Sequence, residues 1–83
     1  VKFNSKKHNS VITELLYRLR MSAGITQQQL SVILNVPQSY ISKIETGERR
    51  IDMLELREIC SALNSNLIEF VTTLEKELNE TKS

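Results

Sequence analysis

Tryptophan is absent from this 83-residue chain, and cysteine, histidine, proline and aspartate each occur once. A single cysteine, Cys60, forms no internal disulfide, and with His8 it cannot supply the four ligands of a structural zinc site. Two glycines in the whole chain leave no Gly-rich loop to cradle a phosphate. His8 lies far along the chain from Cys60, so no nucleophile and base are suggested, and Asp52 reads better as a helix cap than as an acid. No enzymatic activity, cofactor or metal is expected, and no small-molecule ligand is evident. No window approaches the ~18 apolar residues of a membrane span. The polar, Lys-bearing start has no apolar run behind it that would make a signal peptide. A cytoplasmic protein with Cys60 reduced in its core is the expectation.

What is present is modest in size and uneven in charge. An apolar share of 40% argues for one folded domain, and at this length folding buries roughly 60–65% of the unfolded surface. Few Gly or Pro residues and few alternating β-branched runs favour helices over strands. The net charge of +1 hides a division. Residues 1–50 carry eight Lys and Arg against Glu14, Glu45 and Glu48, while residues 51–83 carry three against seven acids. The two halves are thus +5 and −4, the asymmetry of a surface that meets an anionic polymer and one that does not. Residues 1–8 have the composition of a flexible basic arm, and residues 9–83 form the domain.

The densest local information lies between Ile25 and Gly47. Thr26 followed by Gln29 is a capping box, with Ile25 and Leu30 placed as its hydrophobic staple. Leu30, Ile33 and Leu34 give that helix its apolar stripe. Asn35 tolerates the left-handed backbone a sharp turn needs. Pro37 pre-sets a new helix start, and Gly47 is a good stop. On this second helix, at roughly 100° per residue, Gln38, Ser39, Ser42 and Lys43 share an arc of about 140°. Ile41 and Ile44 lie opposite. Amide, hydroxyl and Lys side chains are able to read base edges in a major groove; a solvated face with no target would also be polar. Tyr40 flanks this face and either reaches a phosphate or packs at the core edge.

The remaining helices follow the same signals. Ile12, Leu15, Leu16 and Leu19 stripe a first helix that Gly24 ends. Asp52 and Glu55, with Ile51 and Leu56 as staple, start a fourth at about Met53 to Ala62, which carries Cys60. Asn66 and Glu69 start a fifth that runs to about Asn79.

From about Leu15 to Phe70 the chain resembles the Cro/phage-repressor (Xre-like) helix-turn-helix family. The likeness is carried by Leu19-Arg20, Gly24-Ile25-Thr26-Gln27 and Leu30, and by Asn35-Val36-Pro37-Gln38-Ser39 with Ile41-Ser42, Ile44-Glu45 and Gly47. Leu54, Leu63, Leu67 and Phe70 continue it. The resemblance implies an all-α, five-helix repressor-like domain with a helix-turn-helix in helices 2 and 3, acting as a transcriptional regulator on double-stranded operator DNA. It puts base reading on Gln38, Ser39, Ser42 and Lys43. Backbone contacts fall on Thr26, Gln27, Thr46, Arg49 and Arg50, with Tyr40 beside them. Gln27 would also brace Gln38, and Arg20 would pair with Glu45. Pro37 departs from the usual Ser or Thr cap, which forgoes a hydroxyl worth about 0.5–2 kcal/mol.

A homodimer on a palindromic operator is the expected working form, because one recognition helix reads only a few base pairs. Segment 66–79 is the expected dimer helix, through Leu67, Val71, Leu74 and Leu78, with Leu74 and Leu78 standing clear of the core. The alternative is an antitoxin-like interaction module that uses the same fold, with DNA binding secondary.

Overall fold

A computed structural model describes the backbone of residues 5–82 and the side chains of residues 10–80. The described residues form five helices: α1 (Ser5–Ser22), α2 (Gln27–Leu34), α3 (Gln38–Thr46), α4 (Met53–Ala62) and α5 (Leu67–Lys82). No helix among the described residues is long and apolar enough to cross a membrane.

Each helix stops and restarts where the local chemistry dictates. At the end of α1, Gly24 takes φ 70°, and the Ile25 amide donates back to the Arg20 carbonyl. Thr26 then caps α2 in a full capping box: its hydroxyl accepts from the Gln29 amide, and the Gln29 side chain accepts from the Thr26 amide. Asn35 sits at φ 56°, ψ 49°, the left-handed region that only Asn, Asp and Gly visit cheaply. Pro37 begins α3 with no side-chain cap. Asp52 and Glu55 close a second capping box at α4. Asn64, also left-handed at φ 61°, turns the chain into α5, where Asn66 accepts from the Glu69 amide. The Glu69 carboxylate takes the Ser65 hydroxyl.

The core is made of one or more side chains from every helix. Leu15 and Leu16 meet Leu30, Ile41, Ile44, Leu56, Ile59, Cys60, Leu63 and Phe70. Cys60 is fully buried, and that burial pushes its thiol pKa up, which leaves it protonated and inert. The staple residues Ile25 and Ile51 pack against the same cluster.

Four expectations differ from the structure. Ile33 is 54% exposed; Leu30, Ser31 and Leu34 centre the inward face of α2, which places Ile33 about 100° off it. Residues 5–8 are α1 backbone rather than arm, since no Gly or Pro stands in that stretch to stop the helix; residues 1–4 of the expected arm lie outside the described residues. Helix α5 continues past Asn79 to Lys82 for the same reason. Most consequentially, Leu74 does not stand clear of the core. It packs against it, as Leu67 does, and Leu78 is half-buried. Helix α5 lies along α1, tied near its far end by Arg18, whose guanidinium donates to Glu77 at 2.7 Å. The large apolar side chains that α5 leaves to solvent among the described residues are Ile68, 79% exposed, and Val71.

Candidate nucleic-acid interface

Helix α3 is split cleanly by its period. Ile41 and Ile44 are buried on one side. Gln38, Ser39 and Lys43 are exposed on the other, with Ser42 half-buried at its edge. Four side chains able to donate or accept hydrogen bonds therefore share one outward strip, and no large apolar group interrupts it.

The strip is held rigidly from behind. Arg20 of α1 makes a two-pronged contact with Glu45 of α3, Nε to Oε2 at 2.6 Å and Nη2 to Oε1 at 3.0 Å. Both side chains are only 9% exposed. The third edge of the guanidinium donates to the Ile25 carbonyl at 2.9 Å, and the Tyr17 ring lies 5.5 Å away. Gln27, at the start of α2, completes the cluster by donating its amide to Glu45 Oε1 at 3.0 Å. The resemblance assigned that amide to Gln38; the structure gives it to Glu45. Three helices thus converge on one carboxylate, which fixes how α3 sits on the domain.

Past the end of α3 the chain turns through Gly47 at φ 84°. Thr46, exposed, donates its hydroxyl to the Lys43 carbonyl, and the Arg49 amide donates to the same oxygen at 3.1 Å. The Arg49 guanidinium stacks 4.8 Å from the centre of the Tyr40 ring and donates to Glu55 Oε2 at 2.6 Å. The Tyr40 hydroxyl donates to that oxygen at 2.7 Å. Of the two roles open to Tyr40, the structure shows packing at the core edge. Arg50, next in the chain, is exposed and forms no ion pair among the described residues. Thr26 is exposed at the start of α2, its hydroxyl occupied by the capping box.

Glu55 is the site residue that sequence reading missed, since there it served only as a cap. Its pKa is lowered from 4.5 to about 2, first by the Asp52 amide, then by the Tyr40 hydroxyl and the Arg49 guanidinium. A carboxyl depressed on folding stabilises the fold fully above its unfolded pKa and loses that contribution as pH falls through the folded one. Glu55 therefore contributes above pH 4.5 and progressively less down to about 2. Replacing it with Gln should flatten the acid limb of the stability curve in that window. Urea midpoints measured across it that fall equally steeply in both proteins would contradict this.

Compact helices, a steep turn at Asn35 and an exposed polar strip braced by a buried ion pair define a helix-turn-helix domain. A helix-turn-helix family model matches residues 16–70, and the chain belongs to that family, in its Xre/Cro-like group. Among curated relatives, an HTH-type transcriptional regulator of Rickettsia prowazekii is 32% identical over 71 residues, 86% of this chain and 55% of the relative. An HTH-type regulator of Sinorhizobium fredii is 34% identical over 55 residues, covering 66% of this chain and 71% of its own length. The chain spans little more than half the length of the Rickettsia relative it matches. Among solved structures, an XRE-family-like protein from Pseudomonas syringae pv. tomato superposes with a TM-score of 0.82 at 33% identity, covering 88% of this chain and 89% of that one. The restriction-modification controller protein C.Esp1396I gives 0.78 at 28% identity, covering 86% and 93%. It has also been solved as a tetramer in complex with its natural 35 base-pair operator, with a TM-score of 0.76 at 28% identity over 84% and 92% of the two chains.

Proposed function

We propose that this chain is the DNA-binding unit of a transcriptional regulator, with α3 as the recognition helix in the major groove of a palindromic operator. The observation that carries the reading is the α3 strip itself. Gln38, Ser39, Ser42 and Lys43 face away from Ile41 and Ile44, and the loop that follows the same helix carries Arg49 and Arg50. Base-reading groups flanked by phosphate-binding cations are what groove recognition requires. Thr46 at the end of α3 and Thr26 and Gln27 at the start of α2 would meet the sugar–phosphate backbone. An interaction module would be expected to place Leu, Phe or Trp anchors there instead.

Readers and grippers respond differently to truncation. Gln38→Ala or Lys43→Ala should cost about 1–3 kcal/mol and relax preference at one base position. Arg50→Ala should weaken all sequences alike. A selected motif that survives Gln38→Ala unchanged would show that this strip does not read bases.

The regulator works as a homodimer in this reading, because two recognition helices about one helical turn apart are needed to read a palindrome. With Leu67 and Leu74 taken up by the core, the exposed pair Ile68 and Val71 replaces them as the centre of the self-complementary α5 surface. Ile68→Glu combined with Val71→Glu should give a folded monomer that has lost most of its operator affinity. A wild-type protein that sediments as a monomer at micromolar concentrations and binds without cooperativity would remove this interface.

A further inference from the structure

Arg49 and Arg50 are neighbours in sequence and opposites in structure. Arg49 is pinned at its amide by the Lys43 carbonyl, under its guanidinium by the Tyr40 ring, and at one nitrogen by Glu55. Arg50 is exposed, with no ion pair among the described residues. The group that makes the difference is Glu55, and it is itself fixed. Its Oε1 accepts from the Asp52 amide at 3.0 Å, its own amide donates to Asp52 at 2.8 Å, and its Oε2 accepts from the Tyr40 hydroxyl. No Cα of α3 comes within 8 Å of one of α4, so the Tyr40–Arg49–Glu55 contacts form a polar bridge between two helices whose backbones stand apart.

A mobile arginine follows whatever phosphate is near and pays for each contact in lost rotamer freedom. An arginine already held loses less on binding, but only a phosphate at the matching position gains from it. The neighbouring carboxylate also offsets part of the guanidinium charge, which weakens attraction to DNA in general. Both effects raise the operator above the background. We infer that Glu55 is a positioning residue for DNA discrimination, holding Arg49 where only a correctly placed operator phosphate can engage it. Arg50 remains the unselective contact. This inference rests on the DNA-binding reading above.

Glu55→Gln is the natural test, because Gln at this position still completes a capping box while its amide nitrogen cannot accept from Arg49 or Tyr40. Dissociation constants of wild type and E55Q would be measured on the selected operator and on a random duplex of equal length, with thermal unfolding in parallel. The operator-to-random affinity ratio should fall on the order of fivefold to tenfold, with binding to random DNA strengthened and its log–log salt slope steeper by up to ~0.9 per half-site. In an Arg49→Ala background, E55Q should leave the ratio unchanged, which a role confined to α4 stability would not predict. Arg49→Lys, which keeps Glu55 and its cap intact, should lower the ratio similarly because a lysine lacks the planar fork. This variant decides the matter if E55Q fails to fold. A folded E55Q or R49K with the wild-type ratio overturns the inference, as does an equal effect of E55Q without Arg49. If wild type itself does not distinguish operator from random DNA, the DNA-binding reading fails and the inference falls with it.

Discussion

Arg20→Ala is expected to destabilise the domain by about 3–5 kcal/mol, a large part of the stability of a fold this size. The pair it breaks is among the best-satisfied polar contacts in the structure, with two nitrogens on Glu45 and a third on the Ile25 carbonyl. The cost comes mainly from what is left behind. Glu45, only 9% exposed in the intact pair, would be left with the Gln27 amide as its side-chain partner, and a poorly solvated carboxylate without its partner is far more costly than a lost contact. Replacing both members, as in Arg20→Met with Glu45→Leu, should recover much of the loss. A solvated pair would instead be worth under about 1 kcal/mol. Urea unfolding of the two single variants and the double variant gives the coupling energy directly. A coupling near zero would mean that the pair does not hold α3 to α1.

Operator affinity is expected to fall by about a hundredfold between 50 and 200 mM salt. With Lys43 given to base reading, the cations that follow α3 are Arg49 and Arg50. In a dimer these make four candidate phosphate contacts, and at ~0.9 per neutralised phosphate the log–log slope is about −3.6. The net charge of +1 gives no hint of such a slope, because the acids that cancel these cations lie mostly beyond residue 50. Arg50→Ala should lower the magnitude of the slope by about two for the dimer, one per half-site. A titration series by fluorescence anisotropy would measure it. A slope shallower than about −2 would mean that the loop cations do not meet phosphates.

The parts of this fold readable from sequence are those set by neighbours in the chain. Both capping boxes, at Thr26 with Gln29 and at Asp52 with Glu55, are formed, and the span of α4 matches its sequence signal. Asn35 adopts the left-handed turn its side chain allows. What escaped depends on residues far apart in the chain. The Arg18–Glu77 ion pair joins positions 59 residues apart, and no period or spacing marks it. With it went the course of α5, whose length suggested that Leu74 overhangs the core when in fact it lies back along α1. The Arg20–Glu45 pair was found only through family likeness, since 25 residues separate its members. Glu55 was visible and its second role was not: a cap explains the residue locally, so nothing in the sequence asks what its other oxygen does. Ile33 misled for a related reason, because an eight-residue helix gives too few turns to fix the centre of its apolar stripe.

A selection from random duplexes followed by competition binding shows whether the α3 strip reads DNA sequence. A palindromic motif is expected to emerge. At near-physiological salt it should be bound on the order of 10³-fold or more tightly than random duplex of the same length. A pool with no enriched motif, or an enriched motif bound no more tightly than random DNA, would contradict it.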